Sequence, residues 1–267
     1  MTPPRRATLN SSASNSNTAT TPLSFRSLTV SYGAKLALWD LNVTVQNRSL
    51  MAVIGPNGGG KSTMIKSVLG LTPVISGEVL VFDTTVKNAR KRVAYMPQRT
   101  SVNWDFPASV EDVVAMGLYR KIGWCRPVRR RHRDAAREFL DRLGISNLAD
   151  RQIGRLSGGQ QQRVFLARTL AQDADLYLMD EPFAGIDAAT ERVIVDLFHD
   201  IRANGATVLC VHHDLQTVHD YFDHALVLNM RAIASGPVNL VINEENLQSA
   251  YGGRLATNEI RAITKAG

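Results

Sequence analysis

The chain has 267 residues, with 31 Lys and Arg against 24 Asp and Glu, a formal net charge of +7 with neutral His. Hydrophobic residues make up 44% and charged residues 21%, close to the globular average, which excludes a fully disordered or collagen-like chain. No apolar run reaches the about 18 residues that a membrane-spanning helix needs. Cys125 and Cys210 stand far apart in unlike contexts, which excludes a disulfide scaffold and fits a reducing compartment. The basic excess leaves three readings open: nucleic acid, an acidic membrane surface, or simple solubility.

Residues 1–22 are rich in Ser, Thr, Asn, Ala and Pro without apolar periodicity, which predicts a disordered tail. It lacks the apolar core of a secretory signal, and its acid-free, Arg-containing composition resembles a transit peptide only faintly. Ordered sequence is expected from Leu23. Residues 25–32 and 38–45 alternate like antiparallel strands with one wet face. Residues 49–55, SLMAVIG, form a continuous apolar run, the mark of a strand buried on both faces.

That run enters Gly55-Pro56-Asn57-Gly58-Gly59-Gly60-Lys61-Ser62, followed by Thr63 and a predicted helix over 61–70. The pattern G-x-x-x-x-G-K-[ST], between a buried strand and a helix, is a phosphate loop. Its glycines let successive N–H groups converge on one anion, and the helix dipole adds to them. Lys61 would reach the β- and γ-phosphates, and Ser62 would ligate Mg²⁺. Alone the loop specifies only a nucleoside triphosphate.

Strands are expected over 78–82 and 92–96, then helical texture from about 100 to 172. Pro107 and Ser109 read as helix-start signals. Within 101–124, Trp104 and Phe106 are expected to be exposed and to mark a docking surface. Residues 126–137 carry six Arg, read as a solvated helix face in preference to a membrane-surface patch. No aromatic interleaving supports nucleic acid.

Residues 156–160 read Leu-Ser-Gly-Gly-Gln and open a helix whose N-terminus could hold a second anion. They lie too near the next strand to belong to a second nucleotide domain. That strand, 175–180, ends in Asp180-Glu181. In open α/β sheets ligands bind beyond the carboxyl ends of the strands, so these carboxylates should emerge beside the phosphate loop. Asp180 suits Mg²⁺, and Glu181 suits a general base on the attacking water. A helix over 191–203 and a strand over 206–212 follow. Of His212, His213, His219 and His224, no set has tight metal-ligand spacing. The alternation argues an α/β core carrying a helical lobe.

Taken in order, the phosphate loop, Gln98 in YMPQ, LSGGQ, the acidic strand end, Asp187 in AGID and His213 in VHHD make the chain resemble the ATP-binding subunit of an ABC transporter over roughly residues 23–252. The resemblance implies a P-loop NTPase core of RecA type with an antiparallel β subdomain and an inserted helical subdomain at about 100–170, followed by a C-terminal tail over 253–267. It implies ATP and Mg²⁺ as cofactors and a head-to-tail homodimer. Each ATP would lie between one copy's phosphate loop and the other copy's Ser157, Gly158, Gly159 and Gln160. Tyr32 would stack on adenine, although without the resemblance it reads as an ordinary strand aromatic. Gln98 would sense Mg²⁺ and the attacking water and link the site to transmembrane permease subunits, docking near Gln98 and Trp104–Pro107. Asp187 would signal across the dimer. His213 would contact the γ-phosphate, with His212 its one rival.

The Trp-Asp-Phe-Pro wording at 104–107 and the GPNGGGKS form of the loop are similar to those of manganese, zinc and iron(II) importers. This implies an ATPase at the cytoplasmic face of the membrane, serving a divalent-metal importer, manganese first, with an extracytoplasmic metal-binding protein and no nucleic-acid partner. The alternatives are an ABC ATPase importing another substrate, a soluble non-transport ABC ATPase, and a regulator that binds ATP without turnover. AGID and VHHD depart from the family's usual small-Leu-Asp and Thr-His-Asp wording, but neither removes a chemical group.

Overall fold

Strand β3 (Leu50–Ile54) is buried along its whole length, as its unbroken apolar run requires. A computed structural model of the chain describes residues 20–123, 125–252 and Ile263. In it β3 lies at the centre of a six-stranded sheet of order β5-β6-β7-β3-β8-β9. Its partners are β5 (Val93–Met96), β6 (Leu176–Asp180), β7 (Thr207–Val211), β8 (His224–Asn229) and β9 (Arg231–Pro237). Strands β5, β6, β7, β3 and β8 run parallel, and β9 returns antiparallel.

Side chains alternate across a strand, and the two faces of this sheet feed two cores. Leu50, Ala52 and Ile54 of β3 join one, with Tyr177, Met179, Val208 and Cys210. Met51 and Val53 join the other, with Leu176, Leu178, Leu209 and Val211. The second core is closed by helix Lys61–Val68 and by a three-stranded antiparallel sheet of order β2-β1-β4, built from β1 (Leu23–Tyr32), β2 (Lys35–Val45) and β4 (Val74–Leu80).

The first core runs on into a helical lobe. Helix Val110–Ala115 starts at Ser109, whose hydroxyl accepts from Asp112 N–H at 3.1 Å while Asp112 accepts from Ser109 N–H at 3.3 Å, a capping box. Helices Arg130–Arg142 and Gly158–Ala171 complete the lobe. The Arg-rich stretch is more than a solvated face. Arg133 and Arg137 both pair with the buried carboxylate of Glu111, fastening one helix to another. Among the described residues, no helix is long and apolar enough to cross a membrane.

Hairpin β8–β9, unread in the sequence, fixes the phosphate loop from behind. Met230 N–H donates to Gly59 O at 2.8 Å, and Trp39 N–H donates to Met230 O at 2.8 Å. A Cβ at Gly55, whose φ is +151°, would collide with the Leu228 carbonyl. At Gly60, φ +96°, it would come within 2.6 Å of Ala37 O. Only glycine lets the loop come this close to its neighbours.

Most of the expected tail, residues 1–19, lies outside the described residues. Thr21 N–H bonds Asp83, and Pro22 O accepts from Phe82 N–H. Of 253–267 only Ile263 is described, buried against the first core.

Gly55→Ala should cost about 1–3 kcal/mol of folding stability, the usual scale for overpacking, read as a lower urea midpoint. An unchanged midpoint would show that the hairpin yields freely behind the loop.

Candidate active site

Because β3, β6 and β7 run parallel, their carboxyl ends share one edge of the sheet, and the chemistry-bearing residues meet there. A pocket of about 360 Å³ at this edge is lined by Tyr32, Lys61, Ser62, Gln98, Glu181 and His213, with Asn57, Gly58, Gly60 and Thr63 completing the phosphate-loop side.

Lys61 Nζ donates to Gly55 O at 2.7 Å and to Pro56 O at 2.9 Å. The loop's own carbonyls thus hold the ammonium at its centre. Burial lowers the Lys61 pKa, while the carboxylates of Glu181 and Asp180 oppose that shift. Asp180 is almost wholly buried. Burial raises its pKa, opposed first by the hydrogen bond from Ser62, whose hydroxyl donates to Asp180 Oδ1 at 3.3 Å. Ser62, Asp180 and Gln98 offer the hard oxygen atoms that a small divalent cation takes.

Glu181 leaves β6 in a left-handed conformation, φ +58°, which is uncommon for a residue with a Cβ. The turn aims its carboxylate at His213, with Oε1 2.6 Å from Nε2. With Glu181 ionised, Nε2–H is the donor. His213 is exposed to the pocket. Its neighbour His212 is buried. His212 is bonded through Nε2 to Thr217 Oγ1 at 2.8 Å and packed edge-on against Phe183. The geometry therefore gives the pocket position to His213. His224 contacts Asp223, and among the described residues no group of three or more His, Cys, Asp or Glu could hold a metal.

The pocket does not include Ser157, Gly158, Gly159, Gln160 or Asp187. Ser157 caps helix Gly158–Ala171, accepting from Gln160 N–H at 3.3 Å while Gln160 accepts from Ser157 N–H at 3.0 Å. Gly159 packs so tightly on the loop before Asp187 that a Cβ would lie 2.7 Å from Gly185 O. Exposed Asp187 caps helix Ala188–Ala203 through Thr190 N–H at 2.9 Å, and that bond is the first cause of its lowered pKa. These residues lie outside the pocket, with Gly159 packed on the loop that leads to Asp187.

Trp104 departs from expectation. It is half-buried, edge-on to Phe165 at 4.8 Å between ring centroids, and its indole N–H donates to Arg99 O at 3.0 Å. Phe106 is exposed as expected. Sequence reasoning missed Gln162, whose buried side-chain amide donates to Glu181 O at 2.7 Å. It also missed Lys35, Leu36 and Ala37, which line the pocket from β2.

The ABC transporter family matches residues 38–184, a span holding the phosphate loop, Gln98, LSGGQ and the acidic strand end. The chain belongs to the ABC transporter family. It is similar to the zinc transport system ATP-binding protein TroB of Treponema pallidum, 54% identical over 86% of this chain and 86% of that protein. It is also similar to the manganese transport system ATP-binding protein MntB of Bacillus subtilis, 51% identical over 88% of this chain and 94% of that one. Among solved structures, a nucleotide-free ATP-binding cassette from an ABC transporter matches with a TM-score of 0.71 and 25% identity, over 90% of this chain and 98% of the other. As an ABC ATP-binding subunit the chain is an ATPase coupled to transport.

Burial lowers the His212 pKa from 6.5 to about 4. Its neutral form is favoured in the folded state, so the unfolded chain binds the extra proton between those values. Stability is therefore full above pH 6.5 and falls as the pH drops towards 4. Between pH 7 and 5 this site should cost about 2 kcal/mol. His212→Gln should flatten the fall in urea-unfolding free energy over that window. An unchanged slope would assign the titration to another group.

Proposed function

We propose that this ABC subunit hydrolyses ATP to drive import of a divalent transition metal, manganese first, then zinc or iron. The observation that carries the catalytic reading is the convergence of Lys61, Ser62, Gln98, Glu181 and His213 on one pocket. The cargo reading is supported by the relatives, one named for zinc transport and one for manganese transport.

In this reading Tyr32 packs on the adenine ring, and the phosphate-loop amides and Lys61 receive the β- and γ-phosphates. Ser62, Asp180 and Gln98 would hold Mg²⁺, which when bound supplies positive charge against the phosphate oxygens. Glu181 polarises the attacking water and takes its proton, a role worth ~10²–10⁴-fold in rate. His213 fixes the Glu181 carboxylate through the 2.6 Å contact and faces the γ-phosphate.

Two copies pair head to tail, so that Ser157, Gly158, Gly159 and Gln160 of one close over the ATP of the other, and Asp187 lies at the junction. Support comes from their place outside the pocket of their own chain. The ATP-binding domain spans residues 23–252, with the helical subdomain inserted at about 100–170 and tails at 1–22 and 253–267. Permease subunits dock near Gln98 and the 104–107 segment. There Phe106 offers an exposed ring, while Trp104 is packed against Phe165. The subunit lies at the cytoplasmic face of the membrane, and an extracytoplasmic metal-binding protein delivers cargo to the permease.

Glu181→Gln should bind ATP and dimerise, yet lose at least 100-fold in turnover, on the scale of a lost general base. Unchanged turnover would remove the base assignment. Elemental analysis of cells lacking the gene, grown at limiting manganese, zinc and iron, tests the cargo. A fall in one metal, restored by the intact gene but not by Glu181→Gln, is the expected result. No change in any metal would overturn the metal reading.

A further inference from the structure

Glu181 stands in a backbone conformation that a residue with a Cβ seldom adopts, φ +58°. Such a conformation costs of order 1 kcal/mol and persists only where its surroundings over-determine it. Two donors converge on the Glu181 carbonyl. One is Ala184 N–H at 3.2 Å, closing the turn that follows β6. The other comes from outside the turn: Gln162 Nε2 at 2.7 Å. Gln162 is 1% exposed, and it belongs to helix Gly158–Ala171 in the helical lobe. This helix packs against its neighbours in that lobe, which holds the donor in place.

We infer that Gln162 is a positioning residue for the general base: its amide locks the Glu181 carbonyl and thereby aims the Glu181 carboxylate at His213 and the reacting water. The inference rests on Glu181 acting as the base. The peptide plane following Glu181 and its Cα–Cβ bond share one Cα, so fixing the carbonyl in the left-handed turn also fixes where the side chain leaves the backbone. The 2.6 Å contact between Glu181 Oε1 and His213 Nε2 depends on that departure. Without the donor, the Glu181 carbonyl loses the side-chain bond that holds it from outside the turn. A shift of about 1 Å in a catalytic group costs on the order of 100-fold in rate.

The test uses the full-length chain and two variants, Gln162→Met, which keeps length and burial but removes the donor, and Gln162→Glu, which keeps length and an acceptor but removes the N–H. Both should bind ATP within twofold of the parent, measured with a fluorescent ATP analogue. Turnover in both should fall roughly 10- to 100-fold. The decisive readout is a double-mutant cycle in single-turnover hydrolysis. In a Glu181→Gln background, Gln162→Met should cause no further loss, because the amide acts only through the Glu181 carboxylate. Turnover within twofold of the parent in folded Gln162→Met would overturn the inference. So would an equal further loss in the Glu181→Gln background, or weakened ATP binding matching the loss of rate, since each marks a merely structural role. Failure of Glu181→Gln itself to slow hydrolysis would instead remove the base assignment, a result distinguishable from all of these.

Discussion

The parallel pairing of β3 with β7, and of β7 with β6, governs the rest of the molecule. Parallel strands deliver their carboxyl ends to one edge, and each of these three ends in a loop that carries chemistry. β3 feeds the phosphate loop, β6 feeds Asp180 and Glu181, and β7 feeds His213. The Ser62–Asp180 hydrogen bond joins residues 118 apart in sequence because only one strand, β7, lies between their parent strands. Burial of β3 on both faces leaves that register little freedom, since a one-residue slip would exchange Leu50, Ala52 and Ile54 with Met51 and Val53 between the two cores.

The site is built at the expense of local stability. Lys61 and Asp180 are both buried, and each is pushed towards its neutral form by desolvation. Their charges are tolerated because each is given partners: two loop carbonyls for the ammonium, the Ser62 hydroxyl for the carboxylate. A buried charge costs free energy unless hydrogen bonds and opposite charges compensate it, and here the carboxylates of Glu181 and Asp180 also act on Lys61. Glu181 adds backbone strain to the same edge. Strain of this kind clusters at functional sites and persists where the surroundings over-determine it.

Motifs make the catalytic edge legible in the amino-acid sequence. A Gly-rich loop after an unbroken apolar run has few other uses, and Lys61, Ser62, Gln98, Glu181 and His213 line one pocket although they are far apart in sequence, with Asp180 joined to it through Ser62. The choice between His212 and His213 is less legible. Both follow β7, and only the alternation across a strand end, continued past Val211, sends His212 into the Phe183 and Tyr221 cluster and His213 into the pocket. Hairpin β8–β9 escapes a reading by pattern because its second strand is half-exposed and carries little apolar periodicity. The burial of Trp104 is hidden for a related reason: its loop has no period from which to read a face, and the Phe165 ring that covers it is far away in sequence.

The side chain of Gln162 shows where motif reading stops. In the sequence it is one of three consecutive glutamines, Gln160, Gln161 and Gln162, and nothing in composition separates them. Helical geometry does. At about 100° per residue the three leave the axis in three directions. Gln160 folds back to the Ser157 cap. Gln161 accepts from Arg99 at 3.2 Å and donates to Ile153 O at 3.3 Å. Gln162 points across to the Glu181 carbonyl. One run of identical residues thus ties the same helix to its own N-terminus, to the segment after Gln98 and to the acidic strand end. The Ser157–Gln160 cap and the donor to the Glu181 carbonyl thus lie on one packed helix, with Gln160 and Gln162 two residues apart.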